Sequence, residues 1–171
     1  MSDIKQLISI IIPVFNESES IGFLLDEVIS VMESHKLNFE LIVVNDGSKD
    51  DTHQVLKQLT LKIPELSVIC LRKNYGQTAA MAAGFDNSKG DILITLDGDL
   101  QNDPKDIPKL ISEINNGYDL ICGWRFDRKD KLINRKIPSK IANKLIAQVT
   151  GLKLNDYGCS LKAFKKEIID D

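Results

Sequence analysis

The sequence predicts an α/β fold: a mostly parallel central sheet with helices on both faces. Three observations predict it. Short β-branched apolar runs alternate with segments of helical periodicity along the 171 residues. The first run, LISIIIPVF (7–15), is nearly continuous in its apolar character, as expected of a strand covered on both sides. Unusual polar groups then follow the runs (PVFNE, NDGS, LRKNYGQ, LDGDLQ and GWR), where open parallel sheets hold ligands beyond their carboxyl ends.

Taken in order, the first run leads to NESESIGFLLDEVISVMESH, where Ile21, Leu24, Leu25, Val28, Ile29 and Met32 mark one helical face. Asn16 and Glu19 have the spacing of a capping-box variant. FELIVVND (39–46) is the second strand, and Ser48 is placed to cap a helix carrying Val55, Leu56 and Leu59. LSVICLR (66–72) is the third strand. The alanine-rich helix GQTAAMAAGFDNS (76–88) follows, with side chains small enough for close approach to a sheet. GDILITLD (90–97) is the fourth strand. Pro104 suits the first turn of a helix bearing Ile107, Leu110, Ile111 and Ile114, which Gly117 ends. YDLICGW (118–124) is the fifth strand, and Ile137, Ile141, Leu145 and Val149 line a last helix that stops at Gly151.

Composition bounds the function. A chain of this length, 43 % hydrophobic and 27 % charged, makes one domain with a real core. The formal charge is only −3, but it is unevenly spread. From Arg125 to Lys144 eight Lys/Arg stand against Asp127 and Asp130, leaving that segment at +6 and the remainder at −9. Such a block suits an anionic partner, and is also what a solvated helix face looks like. Cys70, Cys122 and Cys159 are widely spaced and odd in number. They read as small core residues in a reducing compartment, and a zinc site joining them to His35 or His53 has no ligand-like spacing. No apolar run approaches the ~18 residues of a membrane span. The segment 7–15 has no signal-peptide pattern, so the expected location is cytoplasmic, peripheral at the cytoplasmic face of a membrane.

The chemistry concentrates in ITLDGDLQND (94–103). If the chain stays extended there, its period of two turns Asp97 and Asp99 the same way, with Gly98 adding no bulk between them. Two converging carboxylates at a strand end suit a hard divalent cation, Mg²⁺ or Mn²⁺, that takes substrate phosphate oxygens as further ligands. Gln101 offers a neutral oxygen two positions on, while Asp103 before Pro104 reads as a helix cap. A cation so held implies a diphosphate. Asp46 in NDGS is either an acceptor for a nucleobase N–H or a turn residue, with Gly47 permitting the turn. Asn16 and Glu17 either hold a ribose or cap the first helix. Neither a Gly-x-Gly-x-x-Gly nor a P-loop follows any strand, which removes the usual cradles of dinucleotide oxidoreduction and P-loop phosphoryl transfer.

In this order, IIPVFNE, VVNDGS, LRKNYGQTAAMAAG, ITLDGDLQNDP, GYDLICGWR and DYGCSLKAF resemble the family 2 glycosyltransferases of the GT-A fold. The likeness is greatest to the dolichol-phosphate mannosyltransferase-like branch, which includes bacterial enzymes that load sugars onto undecaprenyl phosphate. NYGQ, LQNDP and DYGCSLKA are similar to the branch that transfers a formamido-arabinose in lipid A modification. The resemblance implies an inverting, metal-dependent enzyme of the cell envelope. Its donor is GDP-mannose or a UDP-sugar, and its acceptor is undecaprenyl or dolichyl phosphate at a membrane surface. It implies Pro13, Phe15, Glu17, Val44 and Asp46 around the nucleoside, with Asn16, Gly76 and Gly98 completing the nucleotide-sugar set. Asp97, Asp99 and Gln101 fall at the metal and diphosphate, and Arg125 near the phosphates. Residues 1–124 become the nucleotide-sugar-binding core. Residues 125–171 become a basic acceptor-side segment of the same domain, and a membrane-associated C-terminal part is expected to be missing. Nucleic acid is not an expected partner, and the oligomeric state is left open, a homo-oligomer included.

The basic block then has a physical reason. A polyprenyl phosphate is largely ionised at pH 7 and needs no general base. Bringing it to a sugar diphosphate sets like charges together, and two unit charges ~4 Å apart repel by about 4 kcal/mol at an effective dielectric near 20. Arg125, Arg128, Arg135 and Lys162 are the candidates to offset this. Where relatives often carry arginine in the final motif this chain has Lys162, a point charge in place of a fork. Three rivals remain. A soluble glycan-extending transferase would need a carboxylate base, for which Asp156 is the candidate. A nucleotide-sugar-binding module would bind donor without turnover. A sugar nucleotidyltransferase would need a glycine-rich loop where PVFNESES has none.

Overall fold

The computed structural model describes residues 6–123 and 159–170. Arg125, Arg128 and Arg135, the helix expected around Ile137 to Val149, and Asp156 lie outside the described residues. The strands are β1 (Leu7–Val14), β2 (Asn38–Asn45), β3 (Leu66–Cys70), β4 (Ile92–Thr95), β5 (Leu120–Cys122) and β6 (Lys162–Lys165). They form one sheet in the order β3-β2-β1-β4-β6-β5. Pairings β1–β2, β1–β4 and β2–β3 are parallel, whereas β6 runs antiparallel to both β4 and β5.

The helices are α1 (Ile21–Ser34), α2 (Thr52–Thr60), α3 (Gln77–Asp86) and α4 (Ile107–Asn115), with a short helix at Glu167–Asp170. The alternation of β1 sorts the layers. Ile8, Ile10, Ile12 and Val14 belong to the cluster that contains the buried faces of α1 and α4. Ile11 belongs to the opposite cluster with Ile42, Val44, Leu93 and Ala80 of α3. On that second face Gly84 brings α3 against the sheet, since a Cβ there would lie 2.3 Å from Ile11 Cγ2. Ile107, Leu110, Ile111 and Ile114 of α4 are all buried, each worth about 1.5–3 kcal/mol of apolar transfer. Asp103 caps the preceding 3₁₀ turn Pro104–Asp106, its side chain accepting from the Lys105 N–H at 3.0 Å.

Four local expectations are corrected, and one strand is found where none was expected. Asn16 and Glu19 form no capping box: the Asn16 side-chain oxygen accepts from the Lys49 N–H at 2.8 Å, and α1 starts at Ile21 after Ser20 without a side-chain cap. Ser48 does not cap α2, because its hydroxyl accepts from the Asn16 N–H, and Asp50 takes the Thr52 N–H instead. The fourth strand stops at Thr95, so Asp97 and Asp99 are not extended strand residues; the chain turns at Gly98 and Asp99, and Leu100 has φ +60. Cys70 is exposed and Cys122 half-buried, both near the margins of the sheet, while Cys159 is the buried cysteine. Finally, KAFK within the last motif is a strand that periodicity did not reveal.

Candidate active site

The carboxyl ends of β1, β2 and β4 open into one cleft of ≈ 280 Å³. Pro13, Val14, Phe15 and Glu17 reach it from the end of β1, and Asp46 from the end of β2. Asn74, Gly76, Gln77 and Ala80 come from the loop before α3 and its first turns. Asp97, Gly98 and Asp99 come from the turn after β4. Eight of the residues expected from the sequence are thus brought together: Pro13, Phe15, Glu17, Asp46, Gly76, Asp97, Gly98 and Asp99.

Three others are placed differently. Asn16, with φ +59, turns to the Lys49 amide and does not line the cleft. Val44 is fully buried in the cluster that holds Ala80, one layer below. Gln101 lies past Leu100 and does not border the cleft; its N–H donates to Asp99 Oδ1 at 3.1 Å. Lys162 lines an adjoining cavity of ≈ 490 Å³, whose lining shares Gln77 and Asp97 with the cleft.

The cleft's walls are held by side chains answering backbone amides. Asp46 is 3 % exposed, and its two oxygens accept from the Tyr75 N–H at 2.7 Å and the Gly76 N–H at 2.8 Å. Each oxygen keeps a second lone pair, so the carboxylate can accept one further donor from the cleft. Gly47 follows with φ +68, and a Cβ on it would lie 2.4 Å from the Lys73 carbonyl carbon; only glycine admits this approach. Glu17 receives the Ser20 hydroxyl on its carboxylate, and its carbonyl accepts from the Ser20 and Ile21 amides. Next to Gly76, Gln77 donates to Asp97 Oδ1 at 2.7 Å. Asn102 ties the end of the acidic turn to Ser160 Oγ at 2.8 Å, and Thr95 donates its hydroxyl to the Ser160 carbonyl.

Gln77, Asn74, Val14 and Ala80 were not anticipated. The signal for Gln77 was its place in NYGQ at the head of a helix, but an uncharged residue in an alanine-rich segment carries little chemistry of its own. Among titratable groups nearby, burial would raise the Asp50 carboxyl, but hydrogen bonds from Thr52 and Ser18 outweigh it and hold the pKa at about 2. The Cys122 thiol is pushed up by burial, against the pull of the Lys162 charge.

Two hard carboxylates on one wall suit a hard cation that completes its shell with waters and phosphate oxygens. Among the described residues no group of three or more His, Cys, Asp or Glu is placed to hold a metal ion. The donor set therefore fits an ion shared with a bound diphosphate better than an enclosed structural metal.

The sequence profile of glycosyl transferase family 2 matches residues 9–171. The dodecaprenyl-phosphate galacturonate synthase of Rhizobium johnstonii is 49 % identical over 164 residues, covering 95 % of this chain and 48 % of its own length. The undecaprenyl-phosphate 4-deoxy-4-formamido-L-arabinose transferase of Aeromonas hydrophila subsp. hydrophila is 41 % identical over 170 residues, covering 99 % of this chain and 52 % of its own. The chain thus spans about half the length of these curated relatives. A crystal structure of glucosyl-3-phosphoglycerate synthase from Mycobacterium tuberculosis, in complex with Mn²⁺, UDP and glucosyl-3-phosphoglycerate, superposes with a TM-score of 0.75 at 21 % identity, over 95 % of this chain and 58 % of that one. That likeness shows the fold, which is GT-A.

Proposed function

The chain belongs to glycosyl transferase family 2, and from that premise we propose that it moves a sugar from a nucleoside-diphosphate sugar to a polyprenyl phosphate. The observation that carries the reading is the cleft itself: Asp97 and Asp99 line it together with Phe15, Glu17 and Asp46, at the carboxyl ends of parallel strands. The names of the relatives support a prenyl-phosphate acceptor.

In this reading Asp46 accepts an N–H of the base, Phe15 and Pro13 bound the nucleoside, and Glu17 faces the ribose. Gly76 leaves room beside the donor, and Gly98 lets the acidic turn pack against the end of β1, where a Cβ would lie 2.8 Å from Val14 Cγ1. Asp97 and Asp99 would hold Mg²⁺ or Mn²⁺, with Gln101 reaching it only if the turn after Asp99 rearranges. Such an ion, when bound, offsets charge on the departing nucleoside diphosphate. Gln77 holds one oxygen of Asp97 and so fixes how the other is presented. The acceptor phosphate oxygen attacks the anomeric carbon, the bond to the diphosphate breaks, and configuration inverts. Lys162 faces the adjoining cavity, from which an anionic acceptor would approach. Arg125, Arg128 and Arg135 keep their proposed acceptor roles on sequence grounds alone. A lipid acceptor would bring the protein to a membrane surface; among the described residues no helix is long and apolar enough to cross one.

The test is direct. The chain is incubated with labelled UDP- and GDP-sugars, Mn²⁺ or Mg²⁺, and undecaprenyl phosphate in detergent. Label in the organic phase, dependent on lipid and metal, is the expected result. Donor bound without any lipid-linked sugar would refute turnover and leave a binding module.

A further inference from the structure

The segment between β2 and α2 does more than connect them. Its side chains answer three successive backbone amides of the loop after β1. The Asn16 N–H donates to Ser48 Oγ at 2.9 Å, the Glu17 N–H to Thr52 Oγ1 at 2.9 Å, and the Ser18 N–H to Asp50 Oδ2 at 3.2 Å. The loop answers back, Asn16 Oδ1 accepting from the Lys49 N–H. The segment is braced within itself: Asn45 Oδ1 accepts from the Ser48 N–H, and Asp50 Oδ1 takes both the N–H and the hydroxyl of Thr52. Thr52 is fully buried, so its hydroxyl relays Asp50 to the Glu17 amide with no water competing. At its other end the same stretch holds Tyr75 and Gly76 through Asp46.

We infer that residues 45–52 are a positioning hub that sets the distance between the two loops flanking the nucleoside, so that Thr52 and Asp50 govern donor affinity without touching the donor. This rests on reading the cleft as the donor site. Ser48, Asp50 and Thr52 do not line the cleft, but the amides they hold belong to Glu17, which does, and to Asn16 and Ser18 beside it. The bonds cross 32 to 35 positions of sequence, so no local helix or turn rule requires them. Asn16 takes the left-handed region (φ +59), which asparagine enters more readily than most residues, and the segment holds it there through both its backbone N–H and its side-chain oxygen.

The experiment uses Thr52→Val, Thr52→Ser and Asp50→Asn in the full chain. Affinity for UDP- and GDP-sugars with Mn²⁺ is measured by calorimetry, turnover at saturating donor, and amide exchange by mass spectrometry and NMR. Thr52→Val should weaken donor binding roughly fivefold, the effect of losing one buried hydrogen bond. The rate at saturation should hold, exchange should quicken at residues 16–18 and not within β1, and Thr52→Ser should restore all three. Asp50→Asn, milder and on the surface, should reproduce the exchange change if Thr52→Val does not fold. Unchanged affinity and exchange in both variants, or a Thr52→Ser defect equal to that of valine, would overturn the hub. A wild-type chain that binds no nucleotide sugar would overturn the donor-site reading instead, and exchange at residues 16–18 would still decide whether the hub exists.

Discussion

The two walls of the cleft are built on different principles. Around Asp46 and residues 45–52 the polar groups are committed to backbone amides: Asp46 to two, Ser48, Asp50 and Thr52 to three more. On the acidic side Asp97 meets Gln77, and Asp99 accepts the amide of Gln101, two residues on. A wall whose groups already hold one another is rigid before anything binds, which in the proposed reading suits a neutral base and ribose. A wall of like charges with few partners gains most when positive charge arrives. The difference teaches where substitutions should cost stability and where they should cost chemistry.

The largest effect is expected on the acidic wall. Asp97→Asn and Asp99→Asn should each lower transfer about a hundredfold or more. They should leave urea stability within about 0.5 kcal/mol of wild type. Loss of folding in step with loss of activity would erase the contrast between the walls. Next comes Gly47→Ala. It forces a side chain into φ +68 and a 2.4 Å approach to the Lys73 backbone, and should cost about 2–4 kcal/mol in denaturant unfolding. Asp46→Asn should come third. An amide can accept only one of the Tyr75 and Gly76 N–H groups and turns its own donor on the other, for about 1–3 kcal/mol. The smallest effect sharpens the comparison by pH. The Asp50 pKa is lowered to about 2 in the folded chain from an ordinary value of 3.8, so its contribution is complete above the latter and disappears as pH falls through the former. Acid titration of stability should therefore show a slope between about pH 4 and 2 that Asp50→Asn reduces.

Much of this was legible in the residues. Strands β1, β2 and β4 declare themselves as apolar runs because both faces of the sheet's centre are covered. The four core positions of α4 follow the helical period without exception. The acids of the rim were legible because charge seldom follows a buried strand without a reason. What escaped obeys tertiary partners. Ser48 satisfies the local rule for a helix cap, but the amide of Asn16, distant in sequence, competes for its oxygen and wins. Asp97 and Asp99 meet in the cleft through a turn at Gly98, not through strand periodicity. Cys70 looked internal because β3 is apolar, yet β3 is an edge strand with one neighbour. Lys162–Lys165 is only four residues long and carries lysine at both ends, so nothing in its own pattern marks a strand; pairing with Ile92–Thr95 makes it one.

That last strand has a consequence for biosynthesis. As the chain leaves the ribosome, β1 to β4 emerge first, and β4 pairs on one side with β1. Its other side has no partner until Lys162–Lys165 follows, some seventy positions later in translation. For that interval the nascent polypeptide carries an apolar, unpaired margin at what will become the middle of its sheet, the kind of edge on which neighbouring chains aggregate. Slowing elongation between the two segments should lower the soluble yield, and a chaperone that shields the margin should recover it.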